Sequence, residues 1–237
     1  MSTLVLVRHG QARAFDADSD RLTEMGEEQA RRVGQYFVQS GVELDEVCVG
    51  TLVRQRRTLE LVAEAFAQAN KPFPSPTVDA AWNEYDAGGI LGGLMPELRG
   101  RDTEFRKLVD DFEQAAARPD RNRYFQRMFE VLMAAWQEGS VESSAVEPFA
   151  VFQARVQAAF RAITERGGRR TVAVFTSGGP IGVAVQTALE AAPMTALRLN
   201  WRVKNASITE FVFSEGRISL EQFNVVEHMP KGLRTFR

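Results

Sequence analysis

Apolar residues gather in three short runs along the chain, and between them they recur at helical spacing. Leu4-Val5-Leu6-Val7 is the first run. Four apolar residues in a row predict a strand buried on both faces, and the run breaks into Arg8-His9-Gly10. A polar, Asp-rich stretch from Gln11 to Arg21 follows and reads as a surface loop. Thr23 is placed to cap a helix whose apolar stripe is Leu22, Met25, Ala30, Val33 and Phe37, ending at Ser40-Gly41. Glu46 to Val49 is a second short strand. After Gly50, Thr51 is placed to cap a helix with the stripe Leu59, Val62, Phe66 and Ala69. Strand, helix, strand, helix predicts a parallel sheet with right-handed crossovers.

Beyond a Pro-rich loop, Lys71 to Pro76, comes a short strand at Thr77-Val78-Asp79. Ala81 to Asp86 mixes acids with aromatics ahead of Gly88-Gly89 and reads as a loop near a site. Residues 90–146 change texture. Helices are expected at Thr103–Ala117 and Tyr124–Gln137, broken by Arg118-Pro119-Asp120, so this segment is expected to be an inserted helical cap. Pro148 suits a first helical position before the stripe Phe149, Phe152, Val156, Phe160 and Ile163, and Gly167-Gly168 ends that helix. Thr171 to Phe175 is the third strong strand, running through Thr176-Ser177-Gly178-Gly179-Pro180 into a helix from Ile181 to Ala191. Ile208–Phe213 and Ile218–Phe223 read as a closing hairpin turning at Glu215-Gly216.

Composition narrows the function. The 237 residues are 44% hydrophobic and 25% charged, with a formal net charge of -2, so no general affinity for nucleic acid or an anionic membrane is expected. No apolar run is long enough to span a bilayer, and the first strand begins too early for a signal peptide, so a soluble cytoplasmic protein is expected. The single cysteine, Cys48, excludes a disulfide within the chain and reads as a small buried hydrophobe. With only His9 and His228 besides, no metal site and no cofactor is expected.

Candidate chemistry sits at the strand ends, where open α/β sheets bind ligands. His9 beside Arg8, with Gly10 permitting a sharp turn, is a candidate reactive centre. Arg54 lies in the first turn of the second helix, where the helix dipole disfavours a cation, and an anion in front of it would explain its position. Gly178 and Gly179 stand between strand and helix, an arrangement whose backbone N–H groups suit an anion. Glu84 on its aromatic loop is a candidate acid, with Asp86 as the neighbouring alternative.

These pieces together resemble the histidine phosphatase superfamily, also called phosphoglycerate mutase-like. Arg8-His9-Gly10, Leu22-Thr23…Gly26…Gln29-Ala30, Arg54…Thr58, Asn205 to Thr209 and Phe223-Asn224…His228-Met229 follow the family's order over about residues 3–86 and 147–229. The resemblance implies one domain over 1–237. It would be a three-layer α/β/α sandwich with a mostly parallel central sheet, carrying a variable cap at 90–146. It implies that His9 attacks phosphorus to give a phosphohistidine, that Arg8 and Arg54 bind phosphoryl oxygens, and that Glu84 is proton donor and then base. Two arginines also keep His9 neutral and nucleophilic. The family places a second histidine where this chain has Ser177, which can donate one neutral hydrogen bond but no charge. Ser177 and Gly178 are therefore expected phosphate contacts, and His228 is expected to be structural. The expected function is hydrolysis of a small phosphomonoester. The alternatives are a weakly active or inactive phosphate-binding or regulatory module, and a phosphomutase. A homodimer is left open.

Overall fold

The computed structural model describes residues 1–13 and 20–236, so most of the expected loop after Gly10 lies outside the described residues. Along the chain come β1 (Ser2–Arg8), α1 (Glu24–Gln39), β2 (Glu46–Val49), α2 (Val53–Gln68), β3 (Thr77–Val78), α3 (Ala87–Gly93), α4 (Met95–Arg101), α5 (Thr103–Gln114), α6 (Arg121–Glu138), α7 (Phe149–Thr164), β4 (Thr171–Thr176), α8 (Gly178–Ala188), α9 (Met194–Asn200), β5 (Ile208–Ser214) and β6 (Arg217–Val225). The sheet order is β3-β2-β4-β1-β5-β6. β3, β2, β4 and β1 run parallel, and the β5–β6 hairpin closes the edge antiparallel beside β1. The hairpin turns where expected, with Gly216 at φ +71°.

The apolar runs are continuous because both faces of the sheet are covered. Val5 and Val7 of β1, Val47 and Val49 of β2, and Ala173 and Phe175 of β4 pack with Val33 and Phe37 of α1 and Leu59, Val62 and Phe66 of α2. The alternate residues Leu4, Leu6, Val172 and Val174 are also fully buried. On that side Phe160 of α7 meets the Phe211 ring edge-on at 5.2 Å. Each such side chain contributes about 1.5–3 kcal/mol through burial. α1 and α2 lie close because Gly34 has no side chain: a Cβ there would stand 2.7 Å from the Ala65 Cβ.

The chain divides into two compact units, Met1–Glu84 with Arg155–Arg237, and Tyr85–Ala154. The expected cap, 90–146, falls inside the second. Among the described residues this unit is helical, and its core joins Phe105, Met128, Phe129, Leu132 and Trp136. Tyr85 packs edge-on to Phe152 at 5.6 Å.

Several local expectations are corrected. α2 is not capped by Thr51: its N-cap is Leu52, and the Thr51 hydroxyl instead accepts from the Asn83 amide at 2.6 Å. Met25 and Ala69 are exposed, so the α1 and α2 stripes are narrower than the sequence suggests. α3, which holds Gly88-Gly89, was not anticipated. The Asp86 side chain caps that helix at Gly89 N, 2.9 Å away, and buried Ile90 anchors it, which together outweigh four glycines' poor propensity. α8 starts three residues earlier than expected, and α9 was not anticipated at all.

Candidate active site

His9 follows β1 directly and is 5% exposed. Its backbone is held on both sides: its N–H donates to Thr176 O at 2.9 Å and its carbonyl accepts from Ala206 N at 3.1 Å. Nδ1 stands 2.7 Å from its neighbour's carbonyl, Gly10 O, and Nε2 lies 3.2 Å from Arg54 Nε. A carbonyl only accepts and a guanidinium only donates, so the network assigns the proton to Nδ1 and the lone pair to Nε2. The imidazole pKa falls well below its ordinary value. Burial is the largest cause, the charges of Arg54 and Arg8 add to it, and the Gly10 carbonyl opposes it. His9 is thus neutral, as expected, with burial the stronger cause ahead of the two arginines.

The glycine after His9 is needed for contact, not for a special φ. A Cβ on Gly10 would lie 2.1 Å from Gly26 O, and one on Gly26 would lie 2.1 Å from Gln11 O. The turn after β1 and the first turn of α1 therefore touch backbone to backbone. Thr58 of α2 ties that turn to α2, accepting from Gly10 N at 3.1 Å and donating to Arg54 O at 2.8 Å.

The anion expected in front of Arg54 is the chain's own Asp20. Its Oδ1 accepts from Arg54 Nη1 at 2.7 Å, and its Oδ2 accepts from Val53 N, at the start of α2, at 2.8 Å. Asp20, in the stretch read only as surface loop, is thus a site residue that sequence reasoning missed. Arg8 Nη1 donates to the carbonyls of Val203 and Phe236, while its charge acts on His9.

Glu84 ends a segment pinned by its own backbone. Arg155 Nη1 donates to Ala81 O and Asn83 O, each at 2.9 Å. Trp82 O accepts from Thr176 Oγ1 at 2.7 Å and from Gln55 Nε2 at 3.0 Å. The Glu84 carboxylate in turn accepts from Gly179 N, at 3.0 and 3.1 Å. One of the glycine N–H groups expected to face a bound anion is therefore taken by Glu84. Ser177 is fully buried, and its Oγ accepts from Gln55 Nε2 at 2.9 Å. Gly178 opens α8 against Asn200, whose Oδ1 would be 2.3 Å from a Cβ there. Gln55 and Arg155 carried no sequence signal, since each works through contacts distant along the chain.

The remaining candidates lie aside. His228 Nε2 donates to Ala206 O at 3.0 Å, and its ring faces Tyr36 at 5.5 Å, a structural placement. Cys48 is half-buried, and burial pushes its thiol up, away from the reactive thiolate. Among the described residues no group of three or more His, Cys, Asp and Glu is placed to hold a metal, and no helix is long and apolar enough to cross a membrane.

The model of the histidine phosphatase superfamily (branch 1) matches residues 4–130 and 121–226. This chain belongs to that superfamily. Among its relatives, a 2,3-bisphosphoglycerate-dependent phosphoglycerate mutase of Sinorhizobium fredii is 36% identical over 105 residues, 42% of this chain and 48% of that protein. The chain thus spans about half the length of the curated relatives it matches. Superfamily structures share the fold. A phosphoglycerate mutase from Bacillus anthracis has a TM-score of 0.63 at 20% identity, covering 96% of this chain and 94% of that one. A mycobacterial glucosyl-3-phosphoglycerate phosphatase has a TM-score of 0.61 at 20% identity, covering 95% and 100%.

Proposed function

We propose that this superfamily member is a phosphatase that hydrolyses a small phosphomonoester through a phosphohistidine on His9. The observation that carries the reading is the neutral imidazole whose Nε2 lone pair meets the Arg54 guanidinium. Phosphoryl transfer is mostly positioning and charge stabilisation, and a planar guanidinium beside the nucleophile serves both. In the first step the Arg54 Nε–H passes from His9 Nε2 to a phosphoryl oxygen, the freed Nε2 lone pair bonds to phosphorus, the ester P–O bond breaks, and Glu84 in its acid form protonates the leaving oxygen. In the second, Glu84 takes a proton from water, the new P–O bond forms, the P–N bond breaks, and His9 returns neutral. The ring carries positive charge while phosphorylated, and the Nδ1–H to Gly10 carbonyl bond stabilises that form. Arg8 and Arg54 take phosphoryl oxygens, with Ser177 and Gly178 lining the anion. A general acid such as Glu84 contributes about 10²–10⁴-fold.

A second reading rests on Ser177. A site with a neutral serine where the family's pattern has a second histidine suits a phosphate-binding module with little or no turnover. A phosphomutase is a third, and nothing in the site favours it over hydrolysis. Phosphate release from p-nitrophenyl phosphate by wild type and His9→Ala separates the first two. The phosphatase reading expects release by wild type alone. Equal background rates overturn it and favour the binding module.

A further inference from the structure

We infer that Gln55 is a positioning residue that turns the Ser177 hydroxyl into a proton donor for a phosphoryl oxygen. The inference rests on the phosphatase reading and adds the part that replaces a second histidine.

Gln55 stands next to Arg54 in the first turn of α2 and is fully buried. Its amide nitrogen has two hydrogens, and both are used, one on Trp82 O at 3.0 Å and one on Ser177 Oγ at 2.9 Å. The reverse amide orientation would set Oε1 against the Trp82 carbonyl, two acceptors facing each other. Trp82 O therefore fixes which end of the amide faces Ser177. Oε1 is buried with no hydrogen-bond partner among the described residues. It lies over Gly50, where a Cβ would come within 1.9 Å of it. A buried acceptor left without a donor is unfavourable. Its persistence points to the two N–H bonds as what this side chain is kept for.

The consequence falls on Ser177. A hydroxyl that receives an N–H must send its own proton elsewhere, and among the described residues no acceptor takes it. Ser177 directly follows Thr176, the residue that pairs with Arg8 across the sheet and whose carbonyl holds the His9 N–H. The Ser177 backbone is thus at the same strand-end level as that of the nucleophile. A phosphoryl oxygen on His9 is the acceptor its proton lacks. The chain from Gln55 through Ser177 to that oxygen polarises in one direction, which strengthens the last bond. The site then binds the anion with a directed neutral donor where the superfamily's pattern has a histidine.

The test is a double-mutant cycle read by steady-state hydrolysis of p-nitrophenyl phosphate and by calorimetric binding of orthovanadate. Ser177→Ala and Gln55→Met should each lower kcat by about 10²- to 10³-fold, the cost of one donor at a developing charge. The combination should be no slower than Ser177→Ala alone within about twofold, because Gln55 acts only through the hydroxyl. Gln55→Glu keeps the volume but reverses the bond, since its carboxylate accepts from Ser177. Its activity should fall as far and recover towards acid pH, a profile that a packing defect would not produce. That variant also carries the test should Gln55→Met fail to fold. Losses that multiply, or a Gln55→Met enzyme as fast as wild type, overturn the inference. Wild type no faster than His9→Ala but binding vanadate overturns only the phosphatase reading, and the same non-additive pattern is then sought in vanadate affinity. Wild type that binds no vanadate overturns both.

Discussion

Arg54→Gln tests the proposed chemistry where the structure is most specific. A guanidinium has five N–H groups. Arg54 gives one to His9 Nε2 and one to Asp20 Oδ1, so three remain for phosphoryl oxygens, and the first joins them when Nε2 attacks phosphorus. Its side chain is only 19% exposed, so these donors act largely out of bulk water. Two charge-assisted bonds to the anion are worth about 3–5 kcal/mol in the transition state. Glutamine removes the charge and cannot span the same atoms, so kcat/KM should fall by roughly 10²–10⁴-fold. The same change should move His9. Arg54 is the second cause of its lowered pKa, after burial, so the imidazole should titrate higher in Arg54→Gln. It should nevertheless stay below the ordinary value of about 6.5, because burial remains. Nitrogen-detected NMR can follow this directly, as the chain has only two histidines. A variant within threefold of wild type, or a wild-type His9 titrating at or above 6.5, would refute the proposed role.

Three further outcomes are expected. Folded-state pKa values below 6.5 at His9 and His228 mean that the unfolded chain binds more protons at acid pH. Stability should therefore be fully present above pH 6.5 and decline as pH falls below it, by about 1.4 kcal/mol per unit of depression, as measured by urea unfolding between pH 7.5 and 5. A profile as steep in the double variant His9→Ala with His228→Gln would assign the loss elsewhere. Gly26→Ala should cost more than about 2 kcal/mol, since its Cβ meets the Gln11 carbonyl at 2.1 Å, whereas Gly100→Ala in α4, with open space, should stabilise by about 0.5–1 kcal/mol; equal denaturation midpoints would contradict the contact. Glu84→Gln should slow hydrolysis of an alkyl phosphate by about 10²–10⁴-fold but that of p-nitrophenyl phosphate far less, because a good leaving group needs no proton. Equal losses on both would remove Glu84 from the acid role.

The sheet was legible because burial writes itself into short stretches. β1 and β4 lie inside the sheet with both faces covered, so their residues are apolar without alternation. α7 likewise shows its stripe, from Phe149 to Ile163, all buried. α3 was not anticipated, because the Asp86 cap and the burial of Ile90 that hold its four glycines in a helix are not propensity terms. The candidate site was legible as residue types at strand ends and on the loop before α3, and the structure gives His9, Arg54 and Glu84 each a specific partner. What the sequence did not disclose is which partner each one has. Asp20 lies 34 residues from Arg54, Gln55 lies 122 from Ser177, and Arg155 lies 72 from Asn83. Such pairings depend on register and crossover, which a window of neighbours does not contain.

Those long-range pairings also change where an anion must be held. The glycine turn after β4 suggested a cradle of backbone N–H groups, yet Gly179 N already serves the Glu84 carboxylate. The start of α2 suggested a second anion seat, yet Val53 N already serves Asp20. Each device that would attract phosphate thus carries a carboxylate of the chain. An incoming phosphoryl group must either displace these carboxylates or rely on donors they leave over. Displacement would uncouple Glu84 from the turn that orients it and Asp20 from the arginine that meets His9. The Arg54 N–H groups that do not hold Asp20 and the Ser177 hydroxyl leave both carboxylates in place, and the only bond they require to break is that of Arg54 Nε–H to the attacking Nε2. On the proposed mechanism the anion therefore leans on Arg54 more heavily than the glycine turn alone would suggest, and Arg54→Gln should cost more than any change at Gly178.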